Sequence, residues 1–109
     1  TLDSHYAPQA TVRLMRLEQM QEAFKQSPNA HARVAVWSRA PVQVPATWAK
    51  QTLQQAMPND ALQCAHDLFA QLRTFDAQGM TEIWVESPPL TAQWAGVRDR
   101  LTPAATPVV

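Results

Sequence analysis

Glycine is nearly absent from this 109-residue chain, occurring only as Gly79 and Gly96. A loop that cradles phosphate on backbone N–H groups needs glycine, because only a residue without Cβ lets the backbone approach so closely. The chain has no such loop, which excludes that kind of self-contained nucleotide site. Its single cysteine, Cys64, forbids an internal disulfide. Nothing therefore argues for secretion, and a cytoplasmic chain is expected. No apolar run approaches the ~20 residues that a membrane span requires. Nine Lys and Arg balance nine Asp and Glu, so the net charge is zero. That balance argues against direct nucleic-acid binding, which wants a basic face, even though four tryptophans are present. The first residue is Thr1 and no signal-peptide pattern follows, as expected of a fragment or a processed product.

What is present suits one globular domain. The length falls near the commonest domain size. Apolar residues make up 46% and charged residues 17%, enough for a core and too little charge for disorder. Charge is uneven: residues 1–50 carry an excess of three cations and residues 51–109 an excess of three anions. That modest dipole fits docking to another protein surface.

Periodicity divides the chain further. Residues 1–10 show no period, and Pro8 holds Ala7 extended, so this stretch reads as an arm or linker. Residues 11–16 alternate as a strand. Leu17, Met20, Ala23 and Phe24 have helical spacing over 17–26, and Ser27-Pro28-Asn29 ends that helix. Residues 32–38 are nearly continuous apolar and predict a strand covered on both faces. Residues 39–46 form a proline-bearing loop. Residues 47–55 read as helix by composition and as a short strand by position. A helix over 60–77 carries a stripe of Ala61, Ala65, Leu68, Leu72 and Phe75, widened by Leu62 and Phe69. Asn59 or Asp60 caps it and Gly79 stops it. Residues 80–86 alternate as a strand, broken by Ser87-Pro88-Pro89. Thr91 is positioned to cap a helix over 92–102, and Pro103 ends it. Such alternation predicts a Rossmann-like three-layer α/β/α domain with a mostly parallel sheet of about four strands, in the order 3-2-1-4. The third strand lacks a helical crossover and is expected to run antiparallel at the edge. The division is an arm over 1–10, a body over 11–103 and a frayed tail over 104–109.

Candidate chemistry is sparse. Cys64 and His66 lie two apart on a helix and face different ways, so no metal site is expected. No serine sits in a nucleophile-elbow turn. Glu82 with Glu86, or Asp76 with Asp99, could pair carboxylates. Ser38, Glu86 and Ser87 fall at strand C-termini, where open α/β sheets place ligands, and mark a candidate ligand edge. Arg98-Asp99-Arg100 offers guanidinium forks for docking. The chain alone is expected not to be catalytic.

A family resemblance goes further. Thr1-Leu2-Asp3-Ser4-His5-Tyr6-Ala7-Pro8 resembles the interdomain linker of two-domain threonylcarbamoyl-AMP synthases, with its His-Tyr-x-Pro. Arg33-Val34-Ala35-Val36 looks like a strand of their second domain. Met57-Pro58 is also similar to that domain, as is the helix Ala65-His66-Asp67-Leu68-Phe69-Ala70-Gln71-Leu72-Arg73 with Asp76. So is Ile83-Trp84-Val85-Glu86-Ser87-Pro88-Pro89, followed by Trp94, Val97, Asp99, Arg100 and Leu101. The resemblance spans roughly residues 1–103. It implies an accessory domain whose partner is an N-terminal YrdC-like catalytic domain. That enzyme would make threonylcarbamoyl-AMP from threonine, bicarbonate and ATP with Mg, supplying the tRNA-modification machinery with which this chain connects only indirectly. No cofactor is implied in the chain itself. His5, Tyr6 and Pro8 would help close the catalytic cleft, and Arg73, Asp76, Asp99 and Arg100 match motif positions and are candidates for interdomain docking. The alternatives are a stand-alone protein-interaction module and a small-ligand-binding α/β domain. The isolated arm, lacking the surface it should cover, is expected to be mobile or packed against a neighbouring molecule.

Overall fold

The computed structural model of the protein describes residues 6–105. Four five-residue strands form it: β1 (Thr11–Met15), β2 (Val34–Ser38), β3 (Thr52–Ala56) and β4 (Glu82–Glu86). Between and after them come α1 (Leu17–Phe24), a 3₁₀ helix (Ala46–Gln51), α2 (Ala61–Ala77), a 3₁₀ turn (Ala92–Trp94) and α3 (Ala95–Ala104). All strand pairs are parallel, in the order β1-β4-β2-β3. The expected order 3-2-1-4 is therefore wrong, because β4 enters between β1 and β2. The burial pattern gives the reason. All of β2 and the Ile83-Trp84-Val85 centre of β4 are buried, whereas β1 alternates and β3 is open at its end. The two strands that bury both faces take the two central places.

β3 is also parallel, not antiparallel. The composition of residues 47–55 and their position each tell half of the story. The 3₁₀ helix Ala46–Gln51 carries the chain back along the sheet, and β3 then runs beside β2 with Val34 opposite Thr52. Trp48 anchors this short crossover: it is buried, and its indole N–H donates to the Gln26 carbonyl at 2.9 Å.

The helices cover both faces. On one side Leu68, Phe69, Leu72 and Phe75 of α2 pack with Val97 and Leu101 of α3 against Val12, Ala35, Trp37, Ile83 and Val85. On the other, Met20 and Phe24 of α1 and Trp48 pack against Met15, Val34, Val36 and Trp84. The connections β1→β2 and β2→β3 move one way across the sheet on the second side. The connection β3→β4 moves back on the first side, as one crossover hand requires.

Both ends of α2 follow from sequence. The Asp60 carboxylate accepts from the Gln63 N–H at 3.0 Å. At the other end Gly79 has φ +77°, which lets the N–H of Met80 reach the Phe75 carbonyl and that of Gly79 the Asp76 carbonyl. Leu62, expected to widen the stripe, is 82% exposed in the first turn; Ala61 and Ala65 pack there instead. The Thr91 side chain caps nothing. Its carbonyl accepts from Trp94 N–H, which closes the 3₁₀ turn ahead of α3. Pro103 does not end α3, since at the last turn its missing N–H interrupts little and the helix runs to Ala104. Ala105 then bridges Val12 of β1 in parallel.

Candidate functional site

Two side-chain clusters occupy opposite edges of the sheet. The first lies where the arm enters β1. Asp76 stands near the C-terminal end of α2, where the helix dipole disfavours a carboxylate. Three donors from the arm compensate. The Tyr6 hydroxyl and the Gln9 N–H (3.0 Å) meet Oδ2, and the Ala10 N–H (3.1 Å) meets Oδ1. One turn earlier, the Arg73 guanidinium lies over the Tyr6 ring, 5.8 Å from its centroid. Tyr6 also packs on the α2-side core, and Ala10 is buried. Partial burial and then the Asp76 carboxylate push the Tyr6 phenol up to about 12, with Arg73 pulling the other way. Residues 6–10 are thus held on the body and are not a loose arm. The isolated arm was expected to lose its partner surface, but α2 supplies one. The Tyr6 hydroxyl is spent on Asp76 in this arrangement. Pro8 is half-buried, and His5 lies outside the described residues.

The second cluster fills the crevice between the C-terminal ends of β2 and β4. Chain exits there go to opposite faces of the sheet, since β2 leads to the 3₁₀ helix on one side and β4 to α3 on the other. Open α/β sheets receive ligands at such a switch point. Here Arg39 fills it. Its Nη2 pairs with Glu86 Oε2 at 2.9 Å and donates to the Ser87 carbonyl at 2.9 Å. Its backbone N–H donates to Glu86 Oε1 at 2.8 Å, and its guanidinium stacks 5.2 Å from the Trp94 ring centroid. Both charged side chains are only 15% exposed. Ser38 is buried and its hydroxyl donates to the Ala40 carbonyl at 2.6 Å, while the Ser87 N–H donates to the Met15 carbonyl at 2.8 Å. Of the three residues named for the strand C-termini, Glu86 and Ser87 both meet Arg39, whereas the Ser38 hydroxyl turns to Ala40. Sequence reading missed Arg39. The available signal was a lone cation directly after the Val34-Ala35-Val36-Trp37-Ser38 strand, at the level of a strand-terminal Glu86.

The remaining candidates separate. Asp99 is exposed on α3, and Arg100 donates to the Gly96 carbonyl of its own helix at 2.9 Å. Arg98 donates to the carbonyls of Pro89 and Thr91, tying the proline loop to α3. Arg13 pairs with Glu82 at 3.5 Å, and Glu82 also accepts from the Trp84 indole. His66 and Asp67 pair with each other at the surface, 3.0 Å apart. Cys64 is fully buried, and that burial pushes its thiol up to about 11. No three His, Cys, Asp or Glu group together to hold a metal ion among the described residues. No helix among the described residues is long and apolar enough to cross a membrane.

These two edges place the helix carrying Arg73 and Asp76, the arm before β1 and the Glu86-Ser87-Pro88-Pro89 turn in one architecture. Comparison with protein families then decides the assignment. The family model described as threonylcarbamoyl-AMP synthase, C-terminal domain, matches residues 1–106. The chain belongs to that family. Searches of curated proteins and of solved structures found no match. Membership makes the chain one domain of a two-domain enzyme, in the context of tRNA threonylcarbamoyladenosine biosynthesis, and fits an N-terminal catalytic domain as its partner. Within the family assignment the matched span takes in the arm as well as the body.

Proposed function

We propose that this accessory domain anchors the interdomain linker of a threonylcarbamoyl-AMP synthase, so that the linker closes the active site of the catalytic domain. The observation carrying this reading is the clamp on Asp76, where one carboxylate takes three donors from the arm. A flexible tether would need no such fixing. A lid must leave the body in a defined direction, and fixing residues 6–10 lowers the entropy lost when the preceding segment orders over a cleft. Closure excludes water from a mixed anhydride that hydrolyses readily. The reaction, threonine with bicarbonate and ATP giving threonylcarbamoyl-AMP and pyrophosphate, belongs to the catalytic domain in the cytoplasm, together with its ATP and Mg. This chain contributes no reacting group. The filled Arg39–Glu86 crevice supports the same division of labour, because it leaves the usual ligand position occupied by the protein's own side chains.

The test joins this chain to its catalytic domain and follows threonine-dependent pyrophosphate release and retention of the threonylcarbamoyl-AMP product. Asp76→Ala is expected to lower product retention several-fold while ATP binding by the catalytic domain is unchanged. Equal retention in the variant and the parent would contradict the anchoring role.

A further inference from the structure

The N-terminal edge of the sheet carries a second feature, separate from the Asp76 clamp. Because all strands are parallel, residues just before β2, β3 and β4 gather at this edge. Arg33, Lys50, Gln51, Thr52, Leu53, Gln78 and Met80 line a pocket of about 400 Å³ there. That volume lies within the usual range of small-molecule sites. Arg33 and Lys50 are exposed, and among the described residues neither side chain makes an ion pair or hydrogen bond. The acids nearest along the neighbouring elements are committed elsewhere: Asp76 to the arm, Glu82 to Arg13 and the Trp84 indole. Thr52 brings a hydroxyl that is enclosed yet has no hydrogen-bond partner. The carbonyls of Phe75 and Asp76 at the end of α2, which would repel an anion, are already satisfied by the N–H groups of Met80 and Gly79. The Gln51 amide nitrogen is occupied by the carbonyls of Asn29 and Ala32, both at 2.7 Å, which fixes the floor beside Lys50.

We infer that this pocket binds a small oxyanion of the phosphate class. Arg33 offers the planar fork that matches two oxygens of a tetrahedral anion, and Lys50 a point charge on a flexible stem. A carboxylate would meet the same two cations with two oxygens instead of four and with less charge. The site is independent of the linker reading: it needs only this chain, and it stands or falls without a catalytic domain.

The experiment titrates the full chain with inorganic phosphate, and with sodium chloride and sodium acetate at matched ionic strength, following backbone amide resonances. Phosphate is expected to give saturable shifts confined to the amides of Arg33, Lys50–Leu53 and Gln78–Met80. Arg33→Gln and Lys50→Gln should each weaken this about ten-fold, the loss of one charge-assisted contact. Lys25→Gln, which removes a cation outside the pocket that pairs with Glu22, should leave it unchanged. Both pocket side chains are exposed, so the variants keep their fold, which the remaining resonances verify. Equal shifts with chloride would show screening alone and overturn the proposal. So would acetate matching phosphate, or phosphate shifts that survive both pocket substitutions.

Discussion

Asp76 is the residue on which the arm depends. A carboxylate in the last turn of a helix is disfavoured by roughly 0.3–1 kcal/mol at the surface. Three donors, one of them a phenol, more than offset that at about 1.5–3 kcal/mol for each hydrogen bond to a charged group, before the entropy of ordering the arm is subtracted. Tyr6 is the chain's only tyrosine, so phenolate absorbance reports this contact alone. The folded phenol ionises near 12 and an unfolded one near 10. The folded state therefore holds the proton more tightly. The stability this gives is fully present below pH 10 and is lost as pH rises toward 12. Spectroscopic titration should find the midpoint near 12 in the parent and lower, toward 10, in Asp76→Asn. A parent midpoint at 10 would remove the contact. Cys64 stands at the other extreme of involvement, its buried thiol kept neutral across the physiological range.

At the scale of elements, the strands and helices were legible and their spatial order was not. Amphipathic spacing located α1 and α2, and the Asp60 and Gly79 signals marked the ends of α2 within a residue or two. Sheet order depends on which strands can be buried on both faces. Val34–Ser38 announced that property in sequence, but the Ile83-Trp84-Val85 run was read as alternating and so was not recognised as the second central strand. The 3₁₀ helix Ala46–Gln51 is too short to give a helical period, which is why its segment looked ambiguous. Of the candidate site, Tyr6, Arg73 and Asp76 were all named in sequence. Their mutual contact was not foreseeable, because nearly seventy residues separate Tyr6 from Asp76 and nothing in local spacing reports on it. Arg39 was missed because its pairing with Glu86 follows from β4 lying beside β2, which the expected strand order did not place there. The Arg39–Glu86 pair ties β2 to β4 at their C-terminal ends. Breaking it with Arg39→Ala should destabilise the fold by about 2–3 kcal/mol, below the range for a wholly buried pair because both side chains retain some solvent. In urea unfolding, Arg39→Ala with Glu86→Ala should lose at least about 1 kcal/mol less than the sum of the singles. Additive losses would show that the crevice is not held by this pair.

At the scale of the whole molecule, the two edges of the sheet divide the work. The C-terminal edge, where α/β sheets commonly take ligands, is closed by the protein's own ion pair. The N-terminal edge receives the arm and carries the Asp76 clamp and the cationic pocket. The arm is held at one edge, and an ion pair fills the other. The central claim is that residues 6–10 belong to the folded body. Amide hydrogen exchange at Gln9 and Ala10 tests it most directly, in the parent chain and in Asp76→Ala under native conditions. The parent should show both amides protected at least about ten-fold over an unstructured peptide, with that protection lost in the variant while α2 and β4 remain protected. Exchange at the unstructured rate in the parent would contradict the account, as would protection that survives removal of the Asp76 carboxylate.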